Sequence, residues 1–178
     1  MNYGLFNPKE TDELIQLFSK TFGDSEGVEE GKVIGTLVNT LVETTPEQDI
    51  AIFVARDEQK IVASILFTRL AFTEEHASFL MAPVAVSTEY QGQGIGQALI
   101  RHGLEAMRSQ GVKLAFTYGD PNFYTRVGFN PTSEEQFKAP LTLSFPHGWM
   151  VQTLSSDMIQ ALESRPTCVE GFNNPALW

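Results

Sequence analysis

From Leu80 to Gln110 the chain reads LMAPVAVSTEYQGQGIGQALIRHGLEAMRSQ: an apolar run, a turn carrying Gly92, Gly94 and Gly96, and a stretch of helical period. No other part of the chain restricts the fold as much. Residues 78–86 have the length and apolar content of a strand. The helix after the turn, read over 94–109, spaces Ile95, Leu99, Ile100, Leu104 and Met107 three to five apart, so that they share one face. A further β-rich run at 112–118 completes a strand, helix and strand that read as a parallel crossover unit. Pro83 stands inside the first of these strands. Proline has no N–H to give a ladder, so the strand must be unpaired on one side or bulged there, which opens a gap in the sheet.

The turn also has chemistry. No Ser, Thr, Asp or Asn stands in 91–96 to cap the helix. The first N–H groups of a helix lack internal partners, and glycines let a ligand come close to the backbone, so the turn suits a pyrophosphate. The same glycines would also serve a plain tight turn, and the turn alone does not choose between the two readings.

The remainder can be taken in order. Residues 3–6 form a short strand; Asn7, Pro8 and Glu10 then read as a cap, a first-position proline and a capping-box glutamate. The helix they start runs to about Phe22, with Leu14, Ile15, Phe18 and Phe22 on one face, and Gly23-Asp24-Ser25 ends it. A second helix covers 29–43, where Gly31 and Gly35 either ease bending beside a ligand or have no role. Residues 50–56 and 61–72 make an antiparallel hairpin. Asp120 precedes Pro121 as Asn7 precedes Pro8, so Asp120 reads as a cap rather than a base. The short helix after it carries Phe123, Tyr124 and Val127 and stops at Gly128. Strands at 141–145 and 149–154, a helix from Ser156 through Glu163 and an irregular tail follow.

At 178 residues with 42% apolar content, one domain over 1–178 with a sizeable core is expected. The single cysteine, Cys168, excludes an internal disulfide; no basic start with an apolar stretch opens the chain, and no run has membrane-spanning length. These features lead to the expectation of a cytoplasmic protein that binds no membrane and no metal. The net charge of −10 is concentrated: residues 1–58 hold 12 acidic and 4 basic side chains, residues 59–178 hold 10 and 8. Such a surface disfavours nucleic acid and favours a cationic, amine-bearing ligand, although acidity also serves solubility alone.

Two motifs now stand in order. Val84-Ala85-Val86-Ser87-Thr88-Glu89-Tyr90-Gln91-Gly92-Gln93-Gly94-Ile95-Gly96 is followed, after a helix and a strand, by Phe123-Tyr124-Thr125-Arg126-Val127-Gly128-Phe129. Together they resemble the GNAT superfamily of acyl-CoA-dependent N-acetyltransferases, and within it the bacterial YhbS-like group. The resemblance covers about residues 3–154, and Gln91, Gly94 and Gly96 match the family's turn. It implies a single α/β domain with a mixed, centrally splayed sheet and helices on both faces. It implies acetyl-CoA as cosubstrate, its pyrophosphate on the backbone amides of Gln91, Gly92, Gln93, Gly94, Ile95 and Gly96. The pantetheine arm would lie along the edge at Val84 and Val86 like an added strand.

Acyl transfer to an amine requires a positioned neutral amine, a donor for the developing oxyanion and a proton for the leaving thiolate. By the resemblance Tyr124 supplies that proton; by spacing alone it reads rather as core packed beside Phe123 and Phe129. The general base stays open. The strand before the turn has no ionisable side chain where many family members carry a glutamate, which leaves Glu74, Glu75, His76, Asp120, His147 or a water chain. His102 reads as solvent-facing. The acceptor would be a small-molecule or peptide amine, and the sequence leaves a homodimer open. Two competitors remain: a dinucleotide-binding oxidoreductase, poorly matched because Gln97 replaces the third glycine, and a non-catalytic acyl-CoA-binding module on the same fold.

Overall fold

A computed structural model describes residues 1–178. In chain order its elements are β1 (Asn2–Leu5), α1 (Thr11–Glu26), α2 (Val28–Thr44), β2 (Ile50–Asp57), β3 (Lys60–Leu70), β4 (Ser78–Val86), α3 (Ile95–Ser109), β5 (Leu114–Tyr118), α4 (Pro121–Tyr124), β6 (Asn130–Pro131) and β7 (Trp149–Thr153). The strands make a seven-stranded sheet in the order β1-β2-β3-β4-β5-β7-β6. β4 and β5 run parallel, whereas the β1–β2, β5–β7 and β6–β7 pairs are antiparallel, so the sheet is mixed as expected. The chain forms two compact units, each from two pieces: Met1–Leu66 with Pro83–Gly103, and Phe67–Ala82 with Leu104–Trp178.

In the first unit the start of α1 follows its sequence signature. Asn7 Oδ1 accepts from the Lys9 N–H at 3.0 Å, and Glu10 Oε2 accepts from the Asn7 N–H at 3.0 Å. These bonds satisfy donors that a helix start leaves open. α1 does not stop at Gly23-Asp24-Ser25. It continues to Glu26, spanned by a Lys20–Asp24 ion pair at 2.8 Å, and Gly27 breaks it at φ +102°. An interior glycine costs a helix only ~1 kcal/mol, and burial of Leu14, Leu17 and Phe18 outweighs it. Gly31 and Gly35 of α2 have a definite role. A Cβ on Gly31 would overlap the Ser19 carbonyl oxygen of α1, and one on Gly35 would overlap the Ser19 hydroxyl. The two glycines set the closeness of the α1–α2 crossing, around which Ile34, Leu37, Val38 and Leu41 are buried.

In the second unit β4 and β5 share three pairs, Ser78↔Leu114, Phe79↔Ala115 and Leu80↔Phe116. The ladder thus ends before Pro83 is reached. β5 pairs with β7 along its whole length, from Leu114↔Thr153 to Tyr118↔Trp149. Phe116 stacks on Trp149 with centroids 5.0 Å apart, and the Trp149 indole donates to the Phe137 carbonyl at 2.8 Å.

Two expectations fail in this unit. Residues 141–145 are irregular rather than a strand, because β5 and β6 occupy both edges of β7 and leave none to extend. No helix forms over 156–163. Met158 there is 94% exposed, so the segment has no continuous apolar face to bury, and a short helix without one is not stable. The irregular tail is nevertheless docked, with Phe172 and Trp178 buried and Trp178 stacked on Tyr118 at 6.0 Å.

Candidate functional site

The first cluster of site residues belongs to the first unit. Along the end of β4, Pro83 and Ala85 are buried while Val84 and Val86 are half-buried on the opposite face. The alternation is the pleat of a strand. A short 3₁₀ turn, Thr88–Tyr90, follows, and acidic residues pin it from two sides. The Thr88 hydroxyl donates to Asp24 at 2.7 Å and the Tyr90 hydroxyl donates to Asp57 at 2.9 Å. The Gln91 side chain donates to the Val86 carbonyl at 2.9 Å, and that of Gln93 to the Glu89 carbonyl at 3.3 Å. Both glutamine side chains therefore brace the turn from within, and what they offer a ligand is backbone.

Gly92 and Gly94 adopt φ +74° and +78°, the left-handed region that costs any other residue strain. A Cβ on either would meet nothing within 4 Å, so this face of the turn is open. The Gly94 carbonyl accepts from the Ala98 N–H at 3.0 Å and so caps α3. The helix begins at Ile95, one residue later than expected, and Gly96 lies in its first turn. None of the hydrogen bonds within the chain uses the N–H of Gly92, Gln93, Gly94, Ile95, Gly96 or Gln97 as a donor. Open donors, an open face and the positive end of a fifteen-residue helix fit a pyrophosphate group.

The second cluster belongs to the second unit, at the C-terminal end of β5. Asp120 caps α4, its Oδ1 accepting from the Asn122 N–H at 2.9 Å. Tyr124 lies edge-on to Phe123 at 5.1 Å and to Phe129 at 6.0 Å. Its ring also packs on Gly119, where a Cβ would come within 2.8 Å of Cε2. Burial pushes the Tyr124 pKa up to about 12; the neighbouring Thr117 hydroxyl pulls the other way, and the nearby Asp120 charge adds to the rise. Tyr124 is therefore a neutral phenol at physiological pH, able to donate a proton.

The candidate bases are separated by position. Glu74 is a structural acceptor: it takes hydrogen bonds from the Ser164 hydroxyl, the Ser164 N–H and the Glu163 N–H, which hold its pKa down to about 2. Glu75 and His76 share its turn before β4. Because β4 and β5 are parallel, that turn lies beside the start of β5, whereas α4 follows its end, a strand length of roughly 15 Å away. His147 precedes β7, whose Trp149 pairs with Tyr118, and so stands at the Tyr124 end of the sheet; it is exposed and edge-on to Phe145 at 5.8 Å. His102 is exposed as expected, with ring contacts to Tyr3 and Phe53.

A family model described as an acetyltransferase (GNAT) domain matches residues 48–131, which include the glycine turn and Tyr124. That stretch is similar to the GNAT acetyltransferase domain. Among curated relatives it is 42% identical over 109 residues to the N-acetyltransferase YjhQ of Escherichia coli K12, an alignment covering 58% of this chain and 60% of YjhQ. The chain thus matches about three fifths of that relative's length. Among solved structures, the GNAT-family YhbS of Escherichia coli in complex with CoA superposes with a TM-score of 0.81 at 24% identity, covering 97% of this chain and 92% of that one. A GNAT acetyltransferase from Brucella melitensis in complex with acetyl-CoA gives 0.73 at 22% identity, covering 97% of each chain. These superpositions show the GNAT fold.

The spacing of Tyr124 after Asp120-Pro121 is legible in the sequence, whereas the bond of the Thr117 hydroxyl to the Met81 carbonyl is not. Thr117 sits in the run Leu114–Tyr118 as an ordinary strand residue, and only the end of the β4–β5 ladder reveals what its hydroxyl does.

Proposed function

We propose that this protein is an acetyl-CoA-dependent N-acetyltransferase, moving an acetyl or other short acyl group to a primary amine by direct attack in a ternary complex. The observation that carries this reading is the turn at 91–96, whose unused N–H groups and open glycine face match a pyrophosphate. The relatives named as N-acetyltransferases and the CoA-bound neighbours support it. Val84 and Val86 give the pantetheine arm a strand edge; Gln91, Gly92, Gln93, Gly94, Ile95 and Gly96 give the pyrophosphate its donors. Acetyl-CoA supplies the activated acyl group. Tyr124 gives its proton to the sulfur as the thiolate departs, and residues 1–178 act as one catalytic domain.

The acceptor is a cationic amine of small-molecule or peptide type, drawn by the acidic N-terminal third, where 12 acidic residues face 4 basic ones. Its KM should rise with ionic strength. No helix is long and apolar enough to cross a membrane, in keeping with a cytoplasmic site of action.

The test is Tyr124→Phe, assayed by thiol release over a panel of amines. The expected result is a fall in kcat of about 100-fold or more with acetyl-CoA affinity kept, the pattern of a lost general acid. An unchanged rate removes Tyr124 from the mechanism. Acetyl-CoA binding without turnover on any amine would favour the non-catalytic module.

A further inference from the structure

The second unit holds an open cavity of about 540 Å³ between the C-terminal end of α3, the start of β5 and the chain that leaves β7. Arg108, Lys113, Thr153, Ser155 and Ser156 supply its polar wall, and the buried Val112 and Leu154 its apolar part. Arg108 and Lys113 are the only charged residues in that wall. In a chain of net charge −10 this is a local reversal of sign. The cavity lies at the start of β5, whereas Tyr124 follows the end of that strand, a strand length of roughly 15 Å away. The glycine turn belongs to the other unit.

Donors outnumber acceptors in this wall. The Arg108 guanidinium is fixed at two points, donating from Nε to the Leu154 carbonyl at 2.9 Å and from Nη1 to Glu105 at 2.7 Å. Both N–H groups of Nη2 stay unused, on a fork that cannot turn away. Lys113 Nζ has only two contacts, Ser155 Oγ and Asp157 Oδ2, each at 3.4 Å. A charge-assisted bond is ordinarily about 2.7–2.9 Å long, so Lys113 is loosely tied and can move to a better partner. The Ser155 oxygen accepts from the Asp157 N–H at 3.0 Å, which leaves its own proton without an acceptor, and the hydroxyls of Thr153 and Ser156 make no hydrogen bond. The carbonyls that end α3 do not add acceptors. Those of Ala106, Met107 and Arg108 already accept from the N–H groups of Gln110, Val112 and Gly111, so the negative end of the helix is capped from within.

We propose that this cavity is a second ligand site, which takes a phosphate group, free or carried by a small molecule, between Arg108 and Lys113. Two cations and three hydroxyl donors suit a dianion with three strong acceptor oxygens, whereas a carboxylate has one charge and two oxygens and would leave donors over. The volume of about 540 Å³ leaves room beyond the phosphate for the rest of a small molecule, with Val112 and Leu154 to cover it. The nearby carboxylates do not oppose this. Glu105 and Asp157 pair with the two cations from outside the wall and are 64% and 75% exposed, so water screens them. The ligand displaces only the long Lys113–Asp157 contact.

The glycine turn also offers donors to phosphate, so the reference protein for the test is Gly94→Val, in which that turn is blocked. Inorganic phosphate and glucose 6-phosphate are titrated into it and followed by the phosphorus resonance, with acetate as the carboxylate control followed by calorimetry. The expected result is phosphate binding in Gly94→Val, with acetate at least about tenfold weaker. Lys113→Met in the same background should weaken phosphate binding about tenfold, the effect of losing one charge-assisted hydrogen bond. With the turn intact, Lys113→Met should bind acetyl-CoA as the wild type does. A preference for glucose 6-phosphate identifies an esterified ligand, and equal or tighter binding of inorganic phosphate a free one.

Phosphate binding that is absent from Gly94→Val, and so confined to the turn or lacking altogether, overturns the proposal. So does phosphate binding unchanged by Lys113→Met, or acetate bound as tightly as phosphate. Should Lys113→Met fail to fold, Ser156→Asp takes its place. Ser156 is exposed and its hydroxyl makes no hydrogen bond, so the melt should stay as it is while a carboxylate in the wall abolishes phosphate binding. Undiminished phosphate binding in Ser156→Asp is equally fatal.

Discussion

Gly31→Ala is a small change with a large expected effect. The added methyl would overlap the Ser19 carbonyl oxygen of α1 and lie 3.0 Å from both Cα and N of Gly23. All three atoms are backbone, so no rotamer change relieves the overlap and the helices must move apart. Overpacking of this kind costs ~3 kcal/mol at the upper end, and the better helix propensity of alanine returns about 1. The net loss is about 2 kcal/mol, which in a chain of 178 residues lowers Tm by roughly 4–8 °C. Gly23→Ala is the matched control in the facing helix. Its methyl would meet nothing within 4 Å, so only the propensity gain of ~1 kcal/mol acts and Tm should rise by about 2–4 °C. Calorimetric melts of both variants check the pair. The effect also reaches the site, since Asp24 of α1 holds Thr88 at 2.7 Å; Gly31→Ala should weaken acetyl-CoA binding and Gly23→Ala should not. A Gly31→Ala melt at or above that of the wild type would refute the reasoning.

Three further outcomes are expected. Gly94→Val places a branched side chain at φ +78° and on the open face of the turn, so it should abolish acetyl-CoA binding and lower stability by ~1–2 kcal/mol, read by calorimetric titration and melting. Glu10 accepts from the Arg56 guanidinium at 3.1 and 2.6 Å, which holds its pKa below the usual carboxylate range. A carboxylate depressed in the folded state stabilises above its unfolded pKa of about 4.3 and loses that stabilisation as pH falls through the lower folded value. Glu10→Gln should therefore cost ~1–2 kcal/mol at neutral pH, with the gap from wild type closing in acid, as urea titrations at a series of pH values would show. Tyr124, pushed up to about 12, should not ionise where a free phenol does, so a pH–rate profile should show no loss of activity assignable to it near pH ~10.

Local chemistry was the readable part of this chain. Asn7 and Asp120 cap their turns as their place before a proline requires, because a cap is a bond between near neighbours. The β4–α3–β5 crossover followed from periodicity, and its parallel pairing is seen. What escaped depends on partners distant in sequence. Gly23 marks a helix stop in isolation, but the chain continues to Glu26 because α2 packs on α1. Residues 141–145 have strand character, yet β7 has no edge left for them. Pro83 pointed to lost pairing, and the ladder in fact ends at Leu80, where Thr117 takes the Met81 carbonyl. Glu74 looked available as a base until Glu163 and Ser164, some ninety positions on, were found to hold it.

The central claim is that the turn at 91–96 holds the pyrophosphate of acetyl-CoA. Its most direct test is calorimetric titration of the folded protein with acetyl-CoA, with NADH run alongside and Gly94→Val as the blocked form. The account predicts binding of acetyl-CoA at one site per chain, no binding of NADH, and no acetyl-CoA heat from Gly94→Val. Acetyl-CoA binding undiminished in a folded Gly94→Val protein would contradict it.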